Sequence, residues 1–251
     1  MVHFVGAGCG APDLITVRGQ RLLKEADVII YAGSLVNPEL LQNAKNGCAK
    51  YNSANMTLDE VIAVMQQAEA NNQTTVRLHT GDPSLYGAIR EQMDRLDVCG
   101  IAYDICPGVS SFCGAAAALR VEYTLPDVSQ TVIITRMAGR TPVPDREQIE
   151  LLAAHQATIV IFLSTGMLAA LSKALIAGGY PADTPAAVVY KASWQDEKVC
   201  RCTVGTLAET AEQNGIRKTA LITVGRFLGD DYALSKLYDP AFETEFRKAS
   251  I

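Results

Sequence analysis

Three histidines, one tryptophan and no Cys-x-x-Cys pair leave this chain short of the usual metal and redox ligands. Its seven cysteines, at 9, 48, 99, 106, 113, 200 and 202, are odd in number and scattered. That pattern argues against a disulfide framework or a zinc site and fits a reducing cytosol. No metal site is expected. Lys/Arg runs are also missing, and the net charge is −5, so no basic face is expected to bind nucleic acid. The opening MVHFVGAG carries neither the charged start nor the cleavage pattern of a secretory leader, and a cytoplasmic protein is expected. Full charges are absent from Leu151 to Ser172, a stretch of bilayer-spanning length. His155-Gln156 and Ser164-Thr165-Gly166 break it, however, into a helix end, a strand Ile159–Leu163 and a new helix. No membrane span is expected.

What is present is ample apolar material: 251 residues, 49% hydrophobic and 20% charged. Such a chain folds as one large domain or two smaller ones without staples. Short apolar runs recur at Val2–Val5, Val28–Ile30, Val76–Leu78, Ile101–Ile105, Val132–Ile134, Ile159–Leu163, Ala186–Val189 and Leu221–Val224. Several are apolar at successive positions, as strands covered on both faces are. Helical patterns lie between them. Thr57-Leu58-Asp59-Glu60 reads as a capping box ahead of the stripe Val61, Ile62, Met65 and Ala68. Thr206-Leu207-Ala208-Glu209 reads as a second box. Met167–Ala177 reads as a helix stopped by Gly178-Gly179. Alternating strands and helices predict an α/β fold. A boundary in Val121–Gln130 gives two α/β domains, 1–123 and 124–251.

Chemistry in open α/β sheets gathers at the carboxyl ends of strands. Gly6-Ala7-Gly8-Cys9-Gly10 follows the first strand, and its glycines allow unusual backbone angles and close approach. Its spacing is not that of a dinucleotide fingerprint, and no Gly-Lys-Ser/Thr follows. The second strand ends Ile30-Tyr31-Ala32-Gly33, without the acidic residue that holds a ribose. His79-Thr80-Gly81-Asp82-Pro83 closes another strand, and a helix is expected after it, with Asp82 as cap or ligand acceptor. Cys106-Pro107-Gly108-Val109-Ser110-Ser111 repeats the arrangement, with Ser110 or Ser111 at a helix start. No GxSxG surrounds these serines, so a hydrolase is not indicated. Trp194 reads as a packing anchor, and Cys200 and Cys202 as buried thiols on one strand face.

Taken together, GAGCGAPDLITVRG, RLHTGDPSLYG, PGVSSF and VVYKASWQDE resemble the tetrapyrrole methylases along nearly the whole chain. YAGSLVNPELL and VSQTVIITRMAGRTPVP are similar to the branch that methylates precorrin-4 at C11. GDPSLYG is closer to its cobalt-inserted form in the oxygen-independent cobalamin route than to the cobalt-free one. Two positions depart from the usual GxGPGDPxLLT: Cys9 stands for Pro and Ala11 for Asp. The resemblance implies an S-adenosylmethionine site in a cleft between two α/β domains, S-adenosylhomocysteine as product, and a homodimer. It implies cofactor contacts from Gly81, Asp82, Leu85 and Tyr86, from Ser110 and Ser111, from Phe162 and Met167, and from Ala192, Thr219 and Ala220. The glycine loop (Gly6, Gly8, Gly10) would meet the tetrapyrrole. Arg18, Arg136, Arg140 and Lys191 are the basic residues placed to hold its carboxylates. No catalytic residue is named. By location alone, His79, Asp82 and Lys191 are base candidates. The cobalt-free precorrin-4 C11-methyltransferase and a non-catalytic tetrapyrrole carrier are the alternative readings.

Overall fold

The computed structural model describes residues 1–250, apart from the Ser34 side chain. The chain forms two compact units, Met1–Ala115 with Lys191–Glu197, and Ala116–Tyr190 with Lys198–Ile251. The sequence places the boundary at 123/124; the two units divide at 115/116, within one helix, and the first also takes the later segment Lys191–Glu197.

The first unit contains β1 (Val2–Gly6), α1 (Val17–Glu25), β2 (Val28–Tyr31), β3 (Ala49–Asn52), α2 (Leu58–Ala70), β4 (Thr75–His79), α3 (Arg90–Val98) and β5 (Tyr103–Cys106). Its sheet runs β3-β2-β4-β1-β5, and every pair is parallel. Parallel sheets need both faces covered, and the sequence supplies apolar side chains to both. Phe4, Val28 and Ile30 pack with Ile62, Met65 and Leu96 on one face. Val5, Ile29, Val76 and Leu78 pack with Leu23 and Leu40 on the other. α2 begins on the expected box: Thr57 N–H donates to Glu60 Oε2 at 2.7 Å, and Glu60 N–H returns to Thr57 Oγ1 at 3.3 Å.

α4 (Ser111–Leu119) spans the division, and then come β6 (Val132–Arg136), α5 (Ile149–Ala153), β7 (Thr158–Phe162), α6 (Leu168–Ala177), β8 (Pro185–Tyr190), β9 (Lys198–Thr203), α7 (Leu207–Gln213) and β10 (Ala220–Val224). The uncharged stretch is α5's end, β7 and α6, as its polar breaks imply. This second sheet runs β6-β7-β10-β8-β9; only β6 and β7 are parallel, and the other pairs are antiparallel. Ile159, Ile161, Val188 and Ile222 pack beneath Leu171, Leu175 and Leu207. Among the described residues no helix is long and apolar enough to cross a membrane. The second capping box needs correcting. Thr206 gives no side-chain cap to α7; its hydroxyl accepts from Thr203 N–H at 3.0 Å instead. Thr203 to Thr206 form their own tight turn, so the hydroxyl is spent one turn early.

Candidate active site

In the first unit β4, β1 and β5 are neighbours, so the loops that leave their carboxyl ends meet. Ala7 N–H donates to His79 O at 2.7 Å, and Gly81 N–H to Gly8 O at 2.9 Å. A Cβ on Gly6 would lie 2.5 Å from Gly81 O and 2.6 Å from Gly108 Cα. A Cβ on Gly108 would lie 2.2 Å from Gly81 O. Gly8, at φ +81°, would put a Cβ 2.7 Å from Leu14 O. The space beside these glycines is therefore filled by protein backbone, and three loops are welded where the strands end.

Asp82 completes the weld. One carboxylate oxygen accepts from Gly108 N–H at 2.9 Å; the other accepts from Ser84 N–H at 2.8 Å and from the Ser84 hydroxyl. Partial burial pushes this carboxyl up, but the hydrogen bonds from Ser84 and Gly108 outweigh it and hold it below its ordinary value. The helix expected directly after Pro83 is absent. Residues 83–86 form a turn, Tyr86 and Ala88 adopt φ +57° and +50°, and α3 waits until Arg90. Asp82 thus caps a turn and not a helix. Non-glycine residues in this region of backbone space are strained and collect at functional sites. Leu85 is half-buried and Tyr86 exposed beside the turn. Ser110 is buried just ahead of α4, and Ser111 opens it.

The segment Lys191–Glu197 leaves β8 and packs in the first unit. Ala192 is buried there, and Trp194 fills the space beside Gly10, its Cδ1 2.2 Å from where a Cβ would stand. The Lys191 ammonium is engaged: Asp196 Oδ2 lies at 2.6 Å and the Trp194 ring centroid at 5.2 Å. Trp194 is an anchor, as its size suggests, but one for the glycine loop.

In the second unit, Arg136, Phe162, Tyr190 and Ala220 share one end of the sheet by register. Leu163 and Thr219 at that end adopt φ +54° and +58°. Thr165 Oγ1 donates to Ala220 O at 3.0 Å, tying the β7 exit to the start of β10. Met167 lies against Gly139, its Cε 3.3 Å from a Cβ placed there. The Arg136 guanidinium donates to Met137 O, Thr141 O and Pro142 O, at 3.2, 3.2 and 2.7 Å. It organises the loop that presents Arg140, which is exposed. Arg18 is exposed in the first turn of α1.

Of the three base candidates, His79 is 4% exposed and its Nε2 has no partner. Burial, with a smaller contribution from Arg77, pushes it down to about 3, so the ring is neutral. Arg77 is itself buried, donating to Gln92 Oε1 at 3.0 Å and Ile30 O at 3.2 Å, and burial lowers it to about 10. The sequence marks His79 by its place at a strand end, but not the burial of Arg77 or its bond to Gln92. A histidine kept neutral stabilises the fold fully above its unfolded value near ~6.5, and that stability is lost as pH falls toward the folded value. Below pH ~6.5 the stability of the wild type relative to His79→Gln should fall by about 1.4 kcal/mol per pH unit. Urea unfolding at several pH values reads this. Parallel curves for the two proteins would contradict it.

Cys200 is buried and Cys202 half-buried on β9, and burial raises both thiols, Cys202 to about 11. They are inert packing groups. Among the described residues no cluster of three or more His, Cys, Asp or Glu is placed to hold a metal.

Residues 1–208 match the family described as Tetrapyrrole (Corrin/Porphyrin) Methylases. A Methanocaldococcus jannaschii protein named cobalt-precorrin-4 C(11)-methyltransferase is 56% identical over 249 residues, which cover 99% of this chain and 96% of that protein. The solved structure of a cobalamin biosynthetic enzyme, a cobalt precorrin-4 methyltransferase, aligns with a TM-score of 0.89 and 47% identity over 91% of this chain and 96% of that one. Uroporphyrin-III C-methyl transferase from Thermus thermophilus, solved with S-adenosyl homocysteine, aligns with a TM-score of 0.75 and 26% identity over 90% and 92%. Glycine loops welded at the ends of a parallel sheet, a second α/β unit and a match over most of its length make this chain a member of the tetrapyrrole (corrin/porphyrin) methylases.

Proposed function

We propose that this chain is a methyltransferase that moves the methyl group of S-adenosylmethionine to C11 of cobalt-precorrin-4. The observation that carries this reading is the three-loop weld at Gly6, Gly81 and Gly108, which builds a fixed ligand platform at the strand ends. Its chemistry fits a cofactor without phosphate. Lys191, the cation on the segment that packs there, is tied to Asp196, and the turn offers Leu85 and Tyr86 beside backbone amides and carbonyls. The absence of an acidic residue at the end of β2 speaks against a nicotinamide dinucleotide. In this reading Gly81, Asp82, Tyr86, Ser110, Ser111 and Ala192 hold the cofactor. Phe162, Met167, Thr219 and Ala220 keep the contacts that the family resemblance implies.

S-adenosylmethionine supplies a methyl group already activated on a sulfonium sulfur. The chain's work is therefore to orient the accepting carbon and to exclude water. None of the three base candidates is free to take a proton. His79 is buried and neutral, the Asp82 carboxylate accepts from Ser84 and Gly108, and Lys191 is ion-paired. Positioning, not acid–base chemistry, carries the rate. Arg140 and Arg18, exposed, are the cations proposed to meet substrate carboxylates, whose geometry suits the guanidinium fork. Arg136 acts one step back, by shaping Arg140's loop. We read the protein as a cytoplasmic homodimer, its tail residues Tyr238 and Phe246, 84% and 93% exposed, being suited to cover by a second copy. Calorimetry tests the cofactor: S-adenosylmethionine and S-adenosylhomocysteine should bind, and NAD should not compete. Corrinoid binding without any heat from S-adenosylmethionine would make the chain a carrier instead.

A further inference from the structure

A loop with glycine at 6, 8 and 10 is free to take many paths, so something outside it must choose one. The peptide between Gly10 and Ala11 is gripped at both poles. Asn37 Nδ2 donates to Gly10 O at 3.0 Å, and Ala11 N–H donates to Ser193 Oγ at 2.9 Å. The same hydroxyl lies 3.3 Å from Cys9 Sγ. Ser193 is held in turn: it sits at φ +66°, and its N–H donates to Glu197 Oε2 at 2.6 Å. Trp194 closes the side of Gly10, where even a methyl group would collide with its ring. A backbone peptide held by one donor and one acceptor from two distant parts of the sequence cannot flip without losing both hydrogen bonds, each a net contributor to stability. The left-handed backbone at Ser193 is fixed from both sides, by Glu197 at its N–H and by the Ala11 amide at its hydroxyl.

We propose that Ser193 and Asn37 are a positioning pair that fixes the Gly10–Ala11 peptide plane and thereby sets the wall met by the tetrapyrrole. This rests on the reading that the glycine loop contacts the macrocycle. The pair acts through the loop, by its hydrogen bonds to the Gly10–Ala11 peptide. Both lie in segments that carry the family resemblance, YAGSLVNPELL and VVYKASWQDE, but nothing in those segments singles them out.

The test is Ser193→Ala in the full-length protein, with three readouts: exchange of the Ala11 amide hydrogen, KM for cobalt-precorrin-4, and affinity for S-adenosylmethionine. Ala11 exchange and KM should each rise by about tenfold, the scale of one lost hydrogen bond, while S-adenosylmethionine affinity stays unchanged. Ser193→Asn should restore KM, because Asn keeps a side-chain acceptor and tolerates a positive φ. If Ser193→Ala fails to fold, Asn37→Ala tests the other pole and should give the same rise in KM. An unchanged KM with faster Ala11 exchange would overturn the proposal. So would equal losses of corrinoid and S-adenosylmethionine binding, the mark of a general structural defect. A wild-type protein that transfers no methyl group at all would overturn the functional reading beneath it.

Discussion

Gly108→Ala should abolish S-adenosylmethionine binding and destabilise the protein by about 3 kcal/mol, the upper part of the usual range for overpacking. The added methyl carbon would stand 2.2 Å from Gly81 O, 2.7 Å from Gly6 Cα and 2.9 Å from Gly6 C. All three are backbone atoms, and none can swing aside as a flexible side chain would. Relief requires the loops after β1, β4 and β5 to part, which breaks the Gly8–Gly81 pairing and the Gly108–Asp82 bond. Gly81→Ala provides the contrast. Its Cβ would meet Ser110 Cα and Ser111 N at an ordinary 3.5 Å, so the penalty comes from φ +62° alone. That left-handed conformation costs an alanine about 1–2 kcal/mol. Calorimetry and thermal unfolding should therefore rank Gly108→Ala well below Gly81→Ala. A Gly108→Ala protein with wild-type affinity and melting temperature would remove the weld from the site.

The second large effect is expected at Asp82. Asp82→Ala leaves the Gly108 and Ser84 amides without their acceptor. Each unmet donor costs about 1–3 kcal/mol where it stays away from water, and a bond to a charged acceptor is worth about 1.5–3 kcal/mol. S-adenosylmethionine affinity should fall by about 100-fold, since sub-ångström placement of the platform is lost. Asp82→Asn should be intermediate, because its amide retains one accepting oxygen. The carboxyl is held below its ordinary value, so its stabilisation is complete above ~3.9 and disappears as pH falls through the lower folded value. Asp82→Asn should lack that acid limb. Unfolding curves between neutral and acid pH, with titrations of S-adenosylmethionine, check both statements. An acid limb preserved in Asp82→Asn would assign the low carboxyl elsewhere.

Much of the scaffold is legible from apolar runs. β1, β2, β4, β7, β8 and β10 each sit on a run that packs into a core. β3, AKYN, is an edge strand with half its residues exposed, and carries no such run to announce it. Strand direction in the second sheet is equally silent, because apolar runs look alike whether their neighbours are parallel or antiparallel. The strand-end segments were legible as places where ligands bind, yet the reason for their glycines was not. Spacing suggested room for a ligand; at Gly6 and Gly108 the structure fills that room with the backbone of the adjacent loops, and at Gly10 with the Trp194 ring. Pro83 suggested a helix start, but Tyr86 and Ala88 turn the chain through left-handed angles first. Arg136 and Lys191 read as free cations because a sequence does not show which carbonyls or carboxylates will reach them. Ser193 and Asn37 were invisible for the same reason: their partner is a single peptide far away along the chain.

Under the proposed function, specificity for one carbon follows from the platform that would hold the cofactor and the glycine-loop wall that would set the rotation of the macrocycle. The reacting atoms must come within about 3–3.5 Å in line, and a quarter-turn of the ring would offer a different pyrrole carbon. The most direct measurement is the position of the transferred methyl group. Purified protein, S-adenosylmethionine carrying a ¹³C-labelled methyl and cobalt-precorrin-4 should give one product with the label at C11 alone, read by carbon NMR. Label at C1 or C17, or no transfer despite tight corrinoid binding, would contradict it.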